Sequence, residues 1–417
     1  MAKKASVRDV RRTNRALVMR HLLFAGETSR SALGEATALS AATITNVIAK
    51  LIDEGTVSEG GFLDSAGGRR RVLLGLNPDA AIVFGADVGE TRITVEAFDI
   101  TLRRLAGRVQ EFSGRRIDPQ QVAGIISAQV EDLLRELGAG HPRVLGLGLG
   151  VPGIVENPAH GTSEGASIVY AQVLGWDGIT FAGLGERLGF PVYVDNGAKT
   201  TTQAEAWFGS AKGTEHAIVV LIGDGAGAGI ITNGRLYRGS SSSAGEWGHT
   251  KISLDGIRCR CGSYGCVETF VGASAVLERW SGREHDWVGR ETEGIAAVFA
   301  AWRAADRDAV AAVQNLVAHL GLALSNLVNL YNPRKIIIGG WFGDLIAQEL
   351  LADVRETVHR FSLKQPGDEA VVERSELGQE AVALGAATLP IDRFIETGWP
   401  HQTLGIPSTA YRERHSQ

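Results

Sequence analysis

Thiols and long apolar runs are what this 417-residue chain lacks. It has three cysteines, an odd number that argues against a disulfide framework and for a reducing compartment. No uninterrupted apolar stretch approaches the ~20 residues a membrane span needs. The opening, "MAKKASVRDVRRTNR", lacks the apolar core of a signal peptide. The expectation is therefore a cytoplasmic protein with no membrane partner. What is present is ordinary for a globular protein: 44% hydrophobic and 21% charged residues, in a chain long enough for two or three domains.

Charge is unevenly placed. Residues 1–77 carry twelve Lys and Arg against seven Asp and Glu, which leaves thirty basic against forty acidic residues for the remainder. A basic module joined to an acidic one is expected when only the N-terminus meets a polyanion.

Within that module "RALVMRHLLFAG" predicts a helix with Leu17, Leu22 and Phe24 buried and a stop at Gly26. Ser29 caps a second predicted helix, "RSALGEAT". Ser40 caps a third, "AATITNVIAKLIDEG", in which Ile44, Val47, Ile48, Leu51 and Ile52 form a core stripe. Its opposite face, Ala42, Thr45, Asn46 and Ala49, is small and polar enough to enter a major groove. Two apolar runs then flank a turn-rich tip, "SAGGRRR", which predicts a hairpin wing. The candidate contacts to double-stranded operator DNA are Ser40, Ala42, Thr43, Thr45, Asn46 and Lys50 from the helix and Arg69, Arg70 and Arg71 from the wing.

All three thiols fall within eight positions, in "GHTKISLDGIRCRCGSYGCVE". Cys259, Cys261 and Cys266 with His249, ten residues upstream, offer the Cys3His set of a closed structural zinc site. A regulatory thiol switch is the rival reading.

From Ala81 strands alternate with helices. "AIVFGADVGETRITVEAFDI" and "HAIVVLIGDGAGAGIITNGRLYRG" share a strand, glycine turn, strand texture, which predicts two duplicated α/β lobes around a cleft. Clefts between lobes bind small molecules.

"DVGETR", "GLGVPGIV", "VLGWDG", "AEAWFG", "GDGAGAGI", "AGEWGH" and "CRCGSYGCVE", behind the helix-turn-helix segment, resemble the transcriptional-regulator branch of the repressor, open reading frame, kinase (ROK) family. The resemblance implies an α/β two-lobed actin-like or sugar-kinase (ribonuclease H-like) fold preceded by a winged helix-turn-helix. It sets residues 1–77 as the DNA-binding domain and 78–195, completed by a helix near 379–395, as the first lobe. Residues 196–378 then form the second lobe and 396–417 a polar tail. It also implies structural zinc, a homodimer or homotetramer on DNA in the nucleoid, and a sugar effector held by Asn196, Glu246, His249 and Glu268. His249 would serve metal and sugar through different ring nitrogens. Lys199 nearby is either an exposed lysine or a group favouring an anionic ligand.

Departures from the family's kinases argue against enzyme activity. The catalytic aspartate stands eight residues before the glutamate of the "E-x-x-F-G" segment. Counting back from Glu205 lands on Gly197, which has no base. Glu90, Asp224 and Trp341 stand where the nucleotide loops have small or neutral residues. A sugar-responsive regulator without phosphoryl transfer is thus expected. The alternatives are an active kinase rescued by Asp195 or Asp87, and an architectural DNA binder without a ligand.

Overall fold

In a computed structural model, residues 6–63, 71–112, 116–138, 143–157, 167–282, 287–378 and 381–400 are described. The first module contains α1 (Val7–Ala25), β1 (Thr28–Ser29), α2 (Arg30–Thr37), α3 (Ala41–Asp53), β2 (Val57–Leu63) and β3 (Arg71–Leu76). Ser29 and Ser40 cap α2 and α3 through their hydroxyls, satisfying orphan amides at each start. Ile44, Ile48 and Leu51 are buried, while Val47 and Ile52 sit at the edge of the core. The α1 reading needs correction. The helix begins at Val7 on a Ser6–Asp9 capping box, and its core side is Val18, Met19 and Leu22. Leu17 is 41% exposed, because the helix meets two surfaces and its inner face is rotated by one position. Truncating Ile48 to Ala is expected to destabilise the module by about 2–4 kcal/mol. Urea unfolding followed within the module measures it, and a change below about 0.5 kcal/mol would deny α3 its core role.

The first lobe follows as β4 (Ile82–Val88), β5 (Arg92–Asp99), β6 (Arg104–Glu111), α4 (Pro119–Leu137), β7 (Val144–Val151), β8 (Ile154–Glu156), β9 (Ile168–Ala171), β10 (Trp176–Ile179), α5 (Ala182–Leu188) and β11 (Val192–Asn196). Then come α6 (Gly197–Phe208), β12 (Ala217–Ile222), β13 (Ala226–Thr232), β14 (Arg235–Leu236), α7 (Glu268–Val271), α8 (Ala273–Ser281), α9 (Glu291–Arg303) and α10 (Arg307–Tyr331). The chain continues as β15 (Lys335–Gly339), α11 (Trp341–Glu349), α12 (Leu351–Phe361), α13 (Lys364–Glu369), β16 (Val371–Arg374) and α14 (Ala381–Thr397).

Two five-stranded sheets, β6-β5-β4-β7-β11 and β14-β13-β12-β15-β16, have the same order and the same strand senses. Each opens with an antiparallel meander and adds two parallel strands, as a duplicated unit would. The central strands are apolar on both faces because helices cover both sides. One helix, α14, lies directly on β4 and β7. A Cβ on Gly148 would stand 1.8 Å from the Ala386 carbonyl oxygen, so glycine is what lets helix and sheet touch.

Helix α10 is long and apolar enough by composition to cross a membrane, which the sequence reading did not recognise. Leu316, Leu320 and Leu324 instead form the spine of the second lobe's core.

The winged module rests on the far ends of α6 and α14. Phe24 meets Trp207 edge to face at 5.3 Å between ring centroids. Arg15 donates to the carbonyls of Phe394 and Ile395 at 3.0 and 3.2 Å, and Arg20 pairs with Asp392 at 2.5 Å.

Candidate functional site

Between the lobes lies a cavity of ≈ 830 Å³ lined from both sides. Asn196, Glu246, His249 and Glu268 all face it, as do Asp87, Glu90, Gly197, Asp224 and Trp341. Asn196 ends β11 and caps α6. Its side-chain oxygen accepts from the amides of Ala198 and Lys199, and its side-chain amide donates to Gly153 O at 2.7 Å. The residue is thereby held by the first turn of α6 and by the turn after β7. Glu246 is raised above the usual carboxylate range, first by burial, with Lys199 and His249 pulling back.

Glu268 begins α7, and its two oxygens have separate tasks. Oε2 accepts from the Ala226 amide at 3.1 Å, and Oε1 lies 3.4 Å from the Arg260 guanidinium.

The residues meant to hold metal converge. His249 Nδ1 is 3.7 Å from Cys259 Sγ, Cys261 Sγ is 3.7 Å from Cys266 Sγ, and all four donor atoms lie within 4.8 Å of one another. Sulfur ligands of tetrahedral zinc, each about 2.3 Å from the ion, stand about 3.8 Å apart, so the donor set fits a tetrahedral cation. Burial pushes the Cys259 thiol up to about 12, so a thiolate there needs a nearby positive charge. The ribbon closes by short bridges, Lys251 to Cys266 and Arg258 to Tyr264. Gly265, at φ +66°, turns where a Cβ would stand 1.7 Å from Ser253 O.

Lys199 corrects the sequence reading. It is 1% exposed, donates to Ser242 O, and is absent from the cavity lining. Burial lowers its pKa, while Asp195 and Glu246 work the other way. An amphipathic helix pattern cannot reveal this, because the loop covering Lys199 comes from more than forty residues downstream.

Asp195 is likewise committed elsewhere. Its carboxylate, 1% exposed, is 2.6 Å from the Arg238 guanidinium and does not line the cavity. Asp87 does line it, with burial lifting its carboxyl to about 6 and Arg92 opposing. Gly197 opens α6 with room for a side chain, since the nearest atom to an added Cβ is 3.7 Å away.

The glycine turn between β12 and β13 is covered by the protein's own groups. Trp341 Nε1 comes within 2.9 Å of where a Cβ on Gly223 would be, and Arg260 Nη2 within 3.2 Å of that on Gly225. Glu90, in the facing glycine turn, pairs with Arg260 at 2.7 Å, a partner 170 residues away that sequence could not supply.

On the winged module, Ala42, Thr45, Asn46, Ala49 and Lys50 are exposed along one side of α3. Ser40 and Thr43 share a 2.9 Å hydroxyl contact, and Thr43 is half-buried. Thr45 Oγ1 donates to Ala41 O at 2.8 Å. Arg71, at the start of β3, is exposed with its guanidinium 3.5 Å from Ser31 Oγ. Arg69 and Arg70 lie outside the described residues.

Fold and site together define a two-lobed sugar-kinase-like body carrying a winged-helix head. The ROK family model matches residues 83–393, and the chain belongs to that family. It is 30% identical over 402 residues to the xylose repressor of Caldicellulosiruptor bescii, covering 93% of this chain and 97% of that protein. A solved ROK family transcriptional regulator, a homolog of the E. coli MLC protein, matches with a TM-score of 0.76 and 25% identity, over 94% of this chain and 98% of its own. The ROK glucokinase of Streptomyces griseus, solved with glucose and AMPPNP, matches with a TM-score of 0.61 and 26% identity. That match covers 99% of the kinase but 74% of this chain.

Proposed function

We propose that this protein is a sugar-responsive transcriptional repressor that holds a carbohydrate in its cleft without phosphorylating it. The observation that carries the reading is the pairing of a winged helix with a kinase-like cleft whose glycine turn is covered by Trp341 and Arg260. The similarity to a xylose repressor along nearly the whole chain supports it. Asn196, Glu246, His249 and Glu268 would bond sugar hydroxyls, since carboxylates and imidazole suit vicinal diols. His249, Cys259, Cys261 and Cys266 would hold structural zinc, which fixes the ribbon and the imidazole; Nδ1 faces the thiol cluster, leaving Nε2 for the sugar.

Residues 1–77 would bind operator DNA, with residues 78–195 and the helix near 379–395 forming one lobe and 196–378 the other. A cytoplasmic homodimer or homotetramer presents two heads to a palindrome. A sugar that prefers one degree of lobe closure shifts that equilibrium by its differential affinity. Both α6 and α14 run from the cleft to the head, so a change of closure is felt where Phe24 and Arg15 dock.

The test is a thermal-shift panel of pentoses and hexoses, followed by DNA binding with each stabilising sugar. Aldopentoses come first, given the xylose repressor. Stabilisation together with release of DNA is expected. DNA binding indifferent to every sugar that stabilises the fold would overturn the reading.

Asn46 and Thr45 would choose bases, and the wing would supply affinity for phosphate. Replacing Arg69, Arg70 and Arg71 by Ala is expected to weaken binding to all sequences. It should also flatten the salt dependence by about one unit of slope per lost phosphate contact. An unchanged slope in a salt titration would place the wing off the DNA.

A further inference from the structure

Arg260 stands between two metal-ligating cysteines, yet its guanidinium points away from them into the cleft. It reaches Glu90 of the first lobe at 2.7 Å and Glu268 of its own lobe at 3.4 Å. All three side chains are largely withdrawn from water, at 30% exposure for Arg260, 12% for Glu90 and 13% for Glu268. Glu90 sits in the turn between β4 and β5, so the first pair crosses the cleft. Glu268 meanwhile holds the amide of Ala226 in the opposite turn.

The chain of contacts therefore runs from one lobe's glycine turn to the other's through a single cation. In a nucleotide-using relative of this fold, phosphates would bridge the lobes across such turns; here a guanidinium lies over Gly225 instead. An arginine fork can satisfy two carboxylates at once, which lysine's point charge does poorly.

We infer that Arg260 is the positioning residue of the cleft: bridging Glu90 and Glu268, it latches the lobes together and makes the setting of the Glu268 carboxylate conditional on closure. The role of Glu268 toward a sugar rests on the function proposed above; the latch does not. An open cleft frees Arg260 from Glu90, leaves Glu268 its only carboxylate partner of the two, and turns that carboxylate toward the guanidinium. A closed cleft shares the cation and returns Glu268 to the Ala226 amide and the cavity.

The test uses the full-length, metal-loaded protein and hydrogen exchange in the segments 87–92 and 223–228. Glu90→Gln lies in the other lobe from the metal ribbon, so metal content serves as the control for folding. Both segments are expected to exchange about tenfold faster in Glu90→Gln than in the wild type. Wild-type exchange should also rise part of the way toward the variant's as salt goes from about 50 mM to about 500 mM, since Arg260 keeps 30% exposure. Arg260→Gln should match Glu90→Gln in 87–92 but leave 223–228 protected, because no cation then draws Glu268 from the Ala226 amide; the double variant should match Arg260→Gln, and Arg260→Lys should recover part of the protection in 87–92.

Calorimetry with D-xylose and D-glucose is the second arm. A sugar that binds the wild type should bind Glu90→Gln about three- to tenfold more weakly, although Glu90 is not among the proposed sugar contacts. Wild type that binds neither sugar would count against these sugars alone, because exchange still decides the latch. Unchanged exchange in Glu90→Gln with full metal content, or additive effects of the two single variants, would overturn the inference.

Discussion

Cys261→Ser protein is expected to be purified with almost no zinc, against about one zinc per chain in the wild type, and to lose its sugar response with the metal. The reason lies in the ribbon's composition. Leu254 is 91% exposed, Tyr264 55% and Ile257 44%, so the segment between His249 and Cys266 buries little apolar surface of its own. Two isolated bridges and a few turn hydrogen bonds hold the rest. Binding free energy at structural zinc sites in small peptides reaches about 10–16 kcal/mol, far more than such contacts offer. Without an ion, four donors within 4.8 Å, one a thiol raised by burial and two more thiols packed 3.7 Å apart, would lack the charge to hold them together. Arg260 and Glu268 flank these ligands and would lose their placement next. Metal analysis, exchange across residues 251–266 and sugar titration measure the outcome. A metal-free wild type that answers sugar fully would sink the structural role.

The second large effect is an absence of turnover. Incubated with ATP, magnesium and any sugar that stabilises it, the wild type is expected to yield no sugar phosphate, where kinases of ordinary activity turn over about 1–100 times per second. Gly197 opens α6 at the cleft without a base, and Asp195 is held by Arg238 outside the cavity wall. Asp87 lines the cleft from β4, two strands away from β11 and the start of α6 in the same sheet, which is about 10 Å. Trp341 and Arg260 meanwhile cover the turn a nucleotide would approach. Gly197→Asp should fold normally, because an added Cβ meets nothing closer than 3.7 Å. It should still fail to turn over, since restoring a base does not clear the nucleotide site. Mass spectrometry of the sugar pool decides, and wild-type phosphate transfer above about one per second would make the protein a kinase with a DNA-binding head.

Much of the local architecture was written in short-range chemistry. Ser29 and Ser40 cap the helices they were expected to cap, because a hydroxyl three residues before an amide finds it without help from the rest of the chain. The stripe of Ile44, Ile48 and Leu51 faces the core, because helical periodicity alone puts those side chains on one line. The cysteines and His249 meet because the segment joining them is short and turns at glycines.

Where several elements compete for a residue, periodicity failed. Leu17 has the spacing of a core residue, yet α1 leans on both α3 and the end of α14 and turns Val18 inward instead. Lys199 reads as a surface lysine on a helix that tertiary packing buries on every side.

The sequence by itself determined the head, the two glycine-turn lobes and the thiol cluster. Each of these depends on residue type and separations of a few positions, where chain geometry leaves few alternatives. Tertiary structure alone decided what the charged groups meet: Arg260 meets Glu90, Arg238 meets Asp195, and Lys199 meets the Ser242 carbonyl. Coulomb pairing acts through space: a partner 43 residues away becomes a neighbour only when the second lobe has folded, and one 170 residues away only after two lobes have closed on one cleft.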